Sequence, residues 1–161
     1  MSIETTTVMA TPNNAANHLL EVIQRAHAGV MPEAALQEAV NFAKASNSGF
    51  HCPLVTAAGG LFWCSLNVEC EGNQGKFKWN HNLWGVGTLG GGAGGGTLYT
   101  SLTMEELIKR TARCSGTITP VSVLATFHAD DNTLLATLVA GGYFAPAYTF
   151  IGGGSGQWAK N

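Results

Sequence analysis

The acid–base, nucleophilic and metal-binding chemistry open to this chain rests on five histidines and four cysteines, and their spacing organises none of it. His18, His27, His51, His81 and His128 lie far apart, without the i, i+4 pairing or nearby carboxylates of a metal site. His81 shares strand parity with Phe77, Trp79 and Leu83, so a hydrogen-bonded core histidine is expected there. Asp130 and Asp131 are adjacent and point in different directions, which suits a solvated turn and not paired acid–base work. No G-x-S-x-G elbow occurs, since the glycine-flanked Ser155 is followed by Gly156 and Gln157. Gly85-Val86-Gly87-Thr88-Leu89-Gly90 matches G-x-G-x-x-G, the spacing that lets a backbone approach a pyrophosphate. That fingerprint must open a helix, whereas here more glycines follow, to Gly96, and then the strand-like Thr97-Leu98-Tyr99-Thr100. The expected role of these glycines is to let strands bend and pack closely inside a narrow barrel. No catalytic, cofactor or metal site is assigned.

Cys52, Cys64, Cys70 and Cys114 form neither a C-x-x-C pair nor a zinc-ribbon spacing and read as free thiols. Cys64 and Cys70 fall on the apolar parity of Phe62, Cys64, Leu66, Val68 and Cys70, where cysteine acts as a small hydrophobe. They would have to meet along one extended segment about 20 Å long, which argues against a bridge between them. Pairing of Cys52 or Cys114 with either stays open. The aromatic residues are core by default, but Trp63 and Trp84 lie on the parity opposite to the apolar faces. These two are the candidate surface or lipid contacts.

Those residues must be positioned by a chain of 161 residues, enough for one domain with a proper core. Apolar residues make up 45% and charged residues only 11%, with 21 glycines in place of the missing polarity. That composition excludes disorder and a coiled coil, and a net charge of -2 with scattered basic residues gives no footprint for nucleic acid. Residues 1–11 contain Glu4 and a threonine run but no apolar stretch of signal-peptide length, so no classical export signal is expected. The windows Trp79 to Met104 and Asn132 to Ala159 lack any Asp, Glu, Lys or Arg, yet their glycines and Pro146 would break a spanning helix.

The organisation expected is a flexible lead-in over residues 1–13, a helical hairpin over 14–48 and a glycine-rich barrel over 49–161. Asn13 or Asn14 would cap a first helix carrying Leu19, Leu20, Val22, Ile23 and Ala26, ended by Ala28-Gly29. Pro32 and Glu33 open a second, through Leu36, Ala39, Val40 and Ala43 to Ser46. From Gly49 glycine-bounded runs rich in Val, Thr, Phe, Tyr and Trp predict strands near 50–57, 60–70, 76–88, 93–101, 114–120, 121–129, 133–142 and 145–158. A short helix at Thr103–Arg110 interrupts them, with Thr103 and Glu106 as a capping box. Eight antiparallel strands with few charges imply closure, because a closed barrel leaves no exposed edge to defend. The fold class is therefore mainly β: a compact eight-stranded antiparallel closed barrel with one short helix, preceded by a helical hairpin.

Roughly residues 54–158 resemble the virulence-associated protein (Vap) family of actinobacterial pathogens. The landmarks are Gly94-Gly95-Gly96-Thr97-Leu98-Tyr99-Thr100 leading into the short helix with Leu107, Phe127 through Asn132-Thr133-Leu134-Leu135 with Gly141, and the terminal Gly152-Gly153-Gly154-Ser155-Gly156-Gln157-Trp158. The resemblance implies an eight-stranded barrel without a catalytic site, and a secreted effector that persists in host vacuoles and disturbs endolysosomal maturation through membranes. The expected function is a non-enzymatic effector or interaction protein acting on host or competitor membranes or endolysosomal targets. Its partners would be an anionic lipid membrane or a host protein, with no nucleic acid and no cofactor. The location implied is secreted or in a host vacuole, and otherwise cytoplasmic. Residues 53–161 hold six basic and six acidic groups, so protonating His81 and His128 in acid would make this part mildly cationic and favour anionic lipid. The alternatives are a small-ligand or glycan-binding barrel and, behind it, a pore-former.

Overall fold

The computed structural model describes residues 12–46 and 48–161. Alternation of apolar and polar side chains puts one face of a strand on a core, and β2 (Trp63–Gly72) shows it plainly: Cys64, Leu66, Val68 and Cys70 are buried and the residues between them are not. It lies between β1 (Gly49–Gly59) and β3 (Gly75–Gly87), and β1 pairs on its far edge with β4 (Gly90–Tyr99). This spatial order 3-2-1-4 is a Greek key. After α3 (Met104–Arg110) the strands β5 (Arg113–Thr119), β6 (Ser122–His128), β7 (Leu134–Ala145) and β8 (Phe150–Ser155) repeat it in the order 7-6-5-8. The keys join at two seams, β4 with β7 and β3 with β8, and every pairing is antiparallel. The closed eight-stranded barrel expected from the sequence is thus present. Its two uncharged windows are equivalent pieces, the third and fourth strands of each key.

Both seams are lined by glycine because the strands approach too closely there for a side chain. A Cβ on Gly92 would collide with the Tyr143 carbonyl across β4–β7, and one on Gly85 with the Ile151 carbonyl across β3–β8. The G-x-G-x-x-G run is the end of β3, a tight turn and the first residue of β4, and it opens no helix. The stretch read as one strand over 145–158 is divided. β7 runs on to Ala145, a turn with a cis Ala145–Pro146 peptide follows, and β8 starts at Phe150. A two-residue β9 (Ala159–Lys160) pairs with Phe77 and Lys78 of β3, further along the strand from β8.

Side chains fill the interior. Phe50, Phe77, Trp158, Phe127 and Trp79 make a continuous aromatic stack with ring centroids 4.8 to 5.9 Å apart, and Leu66, Leu83, Phe144, Tyr148 and Phe150 occupy the remainder. The free-thiol reading fails for two cysteines: Cys52 and Cys70 form a buried disulfide, while Cys64 and Cys114 are free and buried. A bulge in β1 between His51 and Leu54 changes the register and brings Cys52 inward beside Cys70, a shift that simple parity does not anticipate. Phe62 departs from the parity assigned to it, because it sits in the β1–β2 turn and is exposed.

The α3 capping box forms in both directions, Thr103 Oγ1 accepting from the Glu106 amide and Glu106 Oε1 from the Thr103 amide. Helices α1 (Pro12–His27) and α2 (Glu33–Ala45) lie on the outer face of β6 and β7. The first helix begins at Pro12, so Asn13 and Asn14 fall within its first turn and not at the position before it; residues 1–11 of the expected lead-in lie outside the described residues. Gly29, at φ 81°, ends it. Leu36, Ala39, Val40 and Ala43 of α2 are buried with Leu20 and Ile23 of α1 against Leu124 and Val139. This second core explains why β6 and β7 lose alternation: both of their faces are covered.

Candidate apolar surface at one end of the barrel

The turns β1–β2, β3–β4, β5–β6 and β7–β8 lie at one end of the barrel, and α3, β9 and the β2–β3 and β6–β7 turns lie at the other. Trp63 and Trp84 are a directly opposed cross-strand pair on β2 and β3 at the first end, 43% and 61% exposed. Val86, two residues beyond Trp84, is opposite Ile151 of β8, and both are exposed. The β1–β2 turn continues this surface. Gly85 N–H donates to the Phe62 carbonyl at 3.0 Å and Gly87 N–H to the Leu61 carbonyl at 2.8 Å, which holds Leu61 and Phe62 beside β3 with their side chains in solvent. Gly60 lies close to both the Trp63 indole and the Leu89 side chain of the β3–β4 turn. The outcome is one apolar surface of Leu61, Phe62, Trp63, Trp84, Val86, Leu89 and Ile151, with exposed Val121 and Tyr143 at the same end.

The charges are sorted the opposite way. Glu69 and Glu71 end β2, Lys76 and Lys78 begin β3, Glu105, Glu106, Lys109 and Arg110 are on α3, Arg113 begins β5, Asp130 and Asp131 form the β6–β7 turn, and Lys160 is on β9. These are all twelve Asp, Glu, Lys and Arg residues of the segment 49–161, and every one sits at or toward the α3 end. The barrel is therefore amphipathic along its axis. Sequence reasoning singled out Trp63 and Trp84 by strand parity and missed Leu61, Phe62 and Leu89, which lie in turns where parity has no meaning. The signal for them was present: large apolar residues beside glycine in turns that polar residues ordinarily fill.

The other titratable candidates do not converge. His18 and His51 are exposed, and His128 donates to or accepts from Thr126 Oγ1 at 3.0 Å near the charged end. His81 is half-buried and not a core residue: Nε2 meets the Gln157 carbonyl and amide at 2.9 and 3.2 Å, in the stretch of β3 left between β8 and β9. Among the described residues no three His, Cys, Asp or Glu side chains are grouped as a metal site requires. Burial pushes the Cys64 and Cys114 thiols up, away from the thiolate a nucleophile needs. A groove of about 420 Å³ lies outside the wall, where Met31, Pro32 and Ala35 overhang β5, β6 and β8. None of the described helices is long and apolar enough to cross a membrane.

Two Greek keys closed into an eight-stranded barrel around a solid core define a small β-barrel class. The chain belongs to the Rhodococcus equi virulence-associated protein family, whose model matches residues 5–159. The match takes in the helical hairpin as well as the barrel, further than the stretch that carries the resemblance in the sequence. Two solved structures share the fold. The virulence-associated protein VapB from the intracellular pathogen Rhodococcus equi is 21% identical with a TM-score of 0.60, covering 71% of this chain and 98% of its own. The virulence-associated protein VapD from the same pathogen is 20% identical with a TM-score of 0.63, covering 71% of this chain and 99% of its own. No curated protein matches the chain.

Proposed function

We propose that the protein is a non-enzymatic effector that seats the uncharged end of its barrel in the interfacial layer of a lipid bilayer. The observation that carries this reading is the axial sorting of side chains. Among the barrel's own strands and turns, one end exposes Trp63, Trp84, Phe62, Leu61 and Leu89 without an acidic or basic residue and the other holds every charge of residues 49–161, while the Glu21–Arg25 pair of α1 lies at β6, across the ring from β2 and β3. Tryptophan favours the headgroup boundary, where its ring is apolar and its N–H meets water. An apolar patch with no charge to desolvate enters that layer at little cost. The buried Cys52–Cys70 disulfide supports action in an oxidising compartment, in keeping with a secreted protein. The filled interior disfavours a ligand carried inside the barrel, and it leaves no lumen for a pore.

The barrel histidines His51, His81 and His128 all lie toward the charged end or midway along the wall, and His27 lies at β6 across the ring, so acid adds no charge to the side of the tip that carries Trp63 and Trp84. Co-sedimentation with neutral and with anionic vesicles at pH 7 and pH 5, with dye release read from the same samples, tests the proposal. Binding to both vesicle types at both pH values without leakage is the expected result. Binding that requires anionic lipid and acid would move the contact to the charged end, leakage would favour the pore, and no binding at all would overturn the membrane reading in favour of a protein target.

A further inference from the structure

The outer face of β6 and β7 is covered by the helical hairpin through an almost wholly apolar contact: Leu20, Ile23, Leu36 and Val40 against Leu124 and Val139. Into this contact α1 inserts its last residue, His27, which is fully buried. Its Nε2 lies 2.9 Å from Ser122 Oγ at the start of β6, and Ser122 is in turn hydrogen-bonded to Thr119 Oγ1 at the end of β5. Nδ1 has no partner among the described residues. A charged imidazolium would present two N–H donors and a full charge. This site offers one hydroxyl and no anion, so only the neutral ring fits.

We infer that the helical hairpin is a cover that acid releases from the barrel wall, with His27 as its latch. This goes beyond membrane seating by the barrel tip and does not depend on it. The charged and titratable groups on the elements around His27 leave the latch alone. On α1, Glu21 and Arg25 pair with each other in solvent at 3.9 Å, and His18 is exposed. Glu33, Glu38 and Lys44 of α2 are exposed; β5 offers Arg113 in solvent and Cys114 facing inward, β6 offers His128 at the far end of the strand, β7 the exposed Tyr143, and β4 Tyr99. None of these side chains is hydrogen-bonded to His27.

Burial alone holds the His27 ring at a pKa of about 4, below its ordinary 6.5, even at a helix C-terminus, where the dipole favours a cation. The docked state therefore binds fewer protons than the released one, and docking weakens as pH falls below 6.5 and levels off near 4. Between pH 7 and pH 5 the docking equilibrium shifts by roughly twentyfold. Release uncovers Leu124 and Val139 on the wall and the apolar faces of both helices, a second sticky surface that acid presents.

Hydrogen exchange on the full chain tests this, because helices this short keep no protection once undocked. Protection factors corrected for the intrinsic rate are compared at pH 7 and pH 5, with β1–β3 as the internal reference. In the wild type, α1 and α2 are expected to lose about twentyfold in protection relative to the barrel. His27→Phe keeps the volume, His27→Gln keeps a partner for Ser122, and either should hold its protection constant across that range. Unchanged wild-type protection, or an equal loss in the variants, overturns the latch. Should neither variant dock at pH 7, the wild-type profile decides: a one-proton slope between 6.5 and 4 supports it, and a flat or steeper one overturns it.

Discussion

Trp63 and Trp84 face each other across β2 and β3 in solvent, whereas Trp79, five residues before Trp84, is buried in the aromatic stack. The same residue type thus has two roles, and substitution separates them. Trp63→Ala and Trp84→Ala are each expected to lower vesicle partitioning about tenfold, the loss of roughly 1.4 kcal/mol of apolar contact, with the unfolding midpoint nearly unmoved. Co-sedimentation alongside denaturant unfolding reads both. Strand parity made these two tryptophans legible in the sequence. It did not reveal the disulfide, since the bulge at His51–Leu54 breaks the parity that Cys52 would follow. Nor did it reveal His27, although the spacing of Leu20, Ile23 and His27 puts all three on one helical stripe, and a histidine completing an apolar stripe is a sign of burial.

Among the elements, the seams between the keys are more demanding than the hairpins. β1–β2, β2–β3, β5–β6 and β6–β7 are joined by short turns, and the turn residues at Gly72 to Gly75 and at Asp130 to Asn132 announce two of them in the sequence. β4–β7 and β3–β8 have no turn to fix them, and what marks them is glycine alone, which says that strands come close without saying to which partner. The pairing was therefore not readable, although the number of strands was. Gly92→Ala places a methyl group on the Tyr143 carbonyl and should cost about 3 kcal/mol or more in denaturant unfolding. Gly60→Ala, in the β1–β2 turn, has as its nearest neighbours the exposed Trp63 indole at 3.3 Å and the Leu89 side chain at 3.6 Å, which can give way, and should stay within about 0.5 kcal/mol. Loss of alternation in β6 and β7 has a different origin, the hairpin laid over their outer face.

At the scale of the molecule there are two separate cores, one inside the barrel and one under the helices, sharing strands but not side chains. A chain cut to residues 48–161 keeps the first core whole and is expected to fold with its strand signature intact in circular dichroism, to bind vesicles as the full chain does, and to aggregate sooner because Leu124 and Val139 are bare. The sorting of charge to one end is visible in the sequence only as two uncharged windows, and it takes the topology to turn those windows into the same end of one object. The two-key ring also sets an order of assembly. A chain made from its N-terminus completes β1 to β4 first, and at that stage β3 and β4 each present an unpaired edge whose partner, β8 or β7, has yet to be synthesised. Neither key completes its pairing alone, so docking of one half on the other, and not the zipping of any hairpin, is expected to be the slow step of folding, which stopped-flow refolding of single-hairpin and seam variants would check. Until then the nascent half is an open sheet with sticky rims, and a cell that makes this protein has to shield it for as long as the second half takes to arrive.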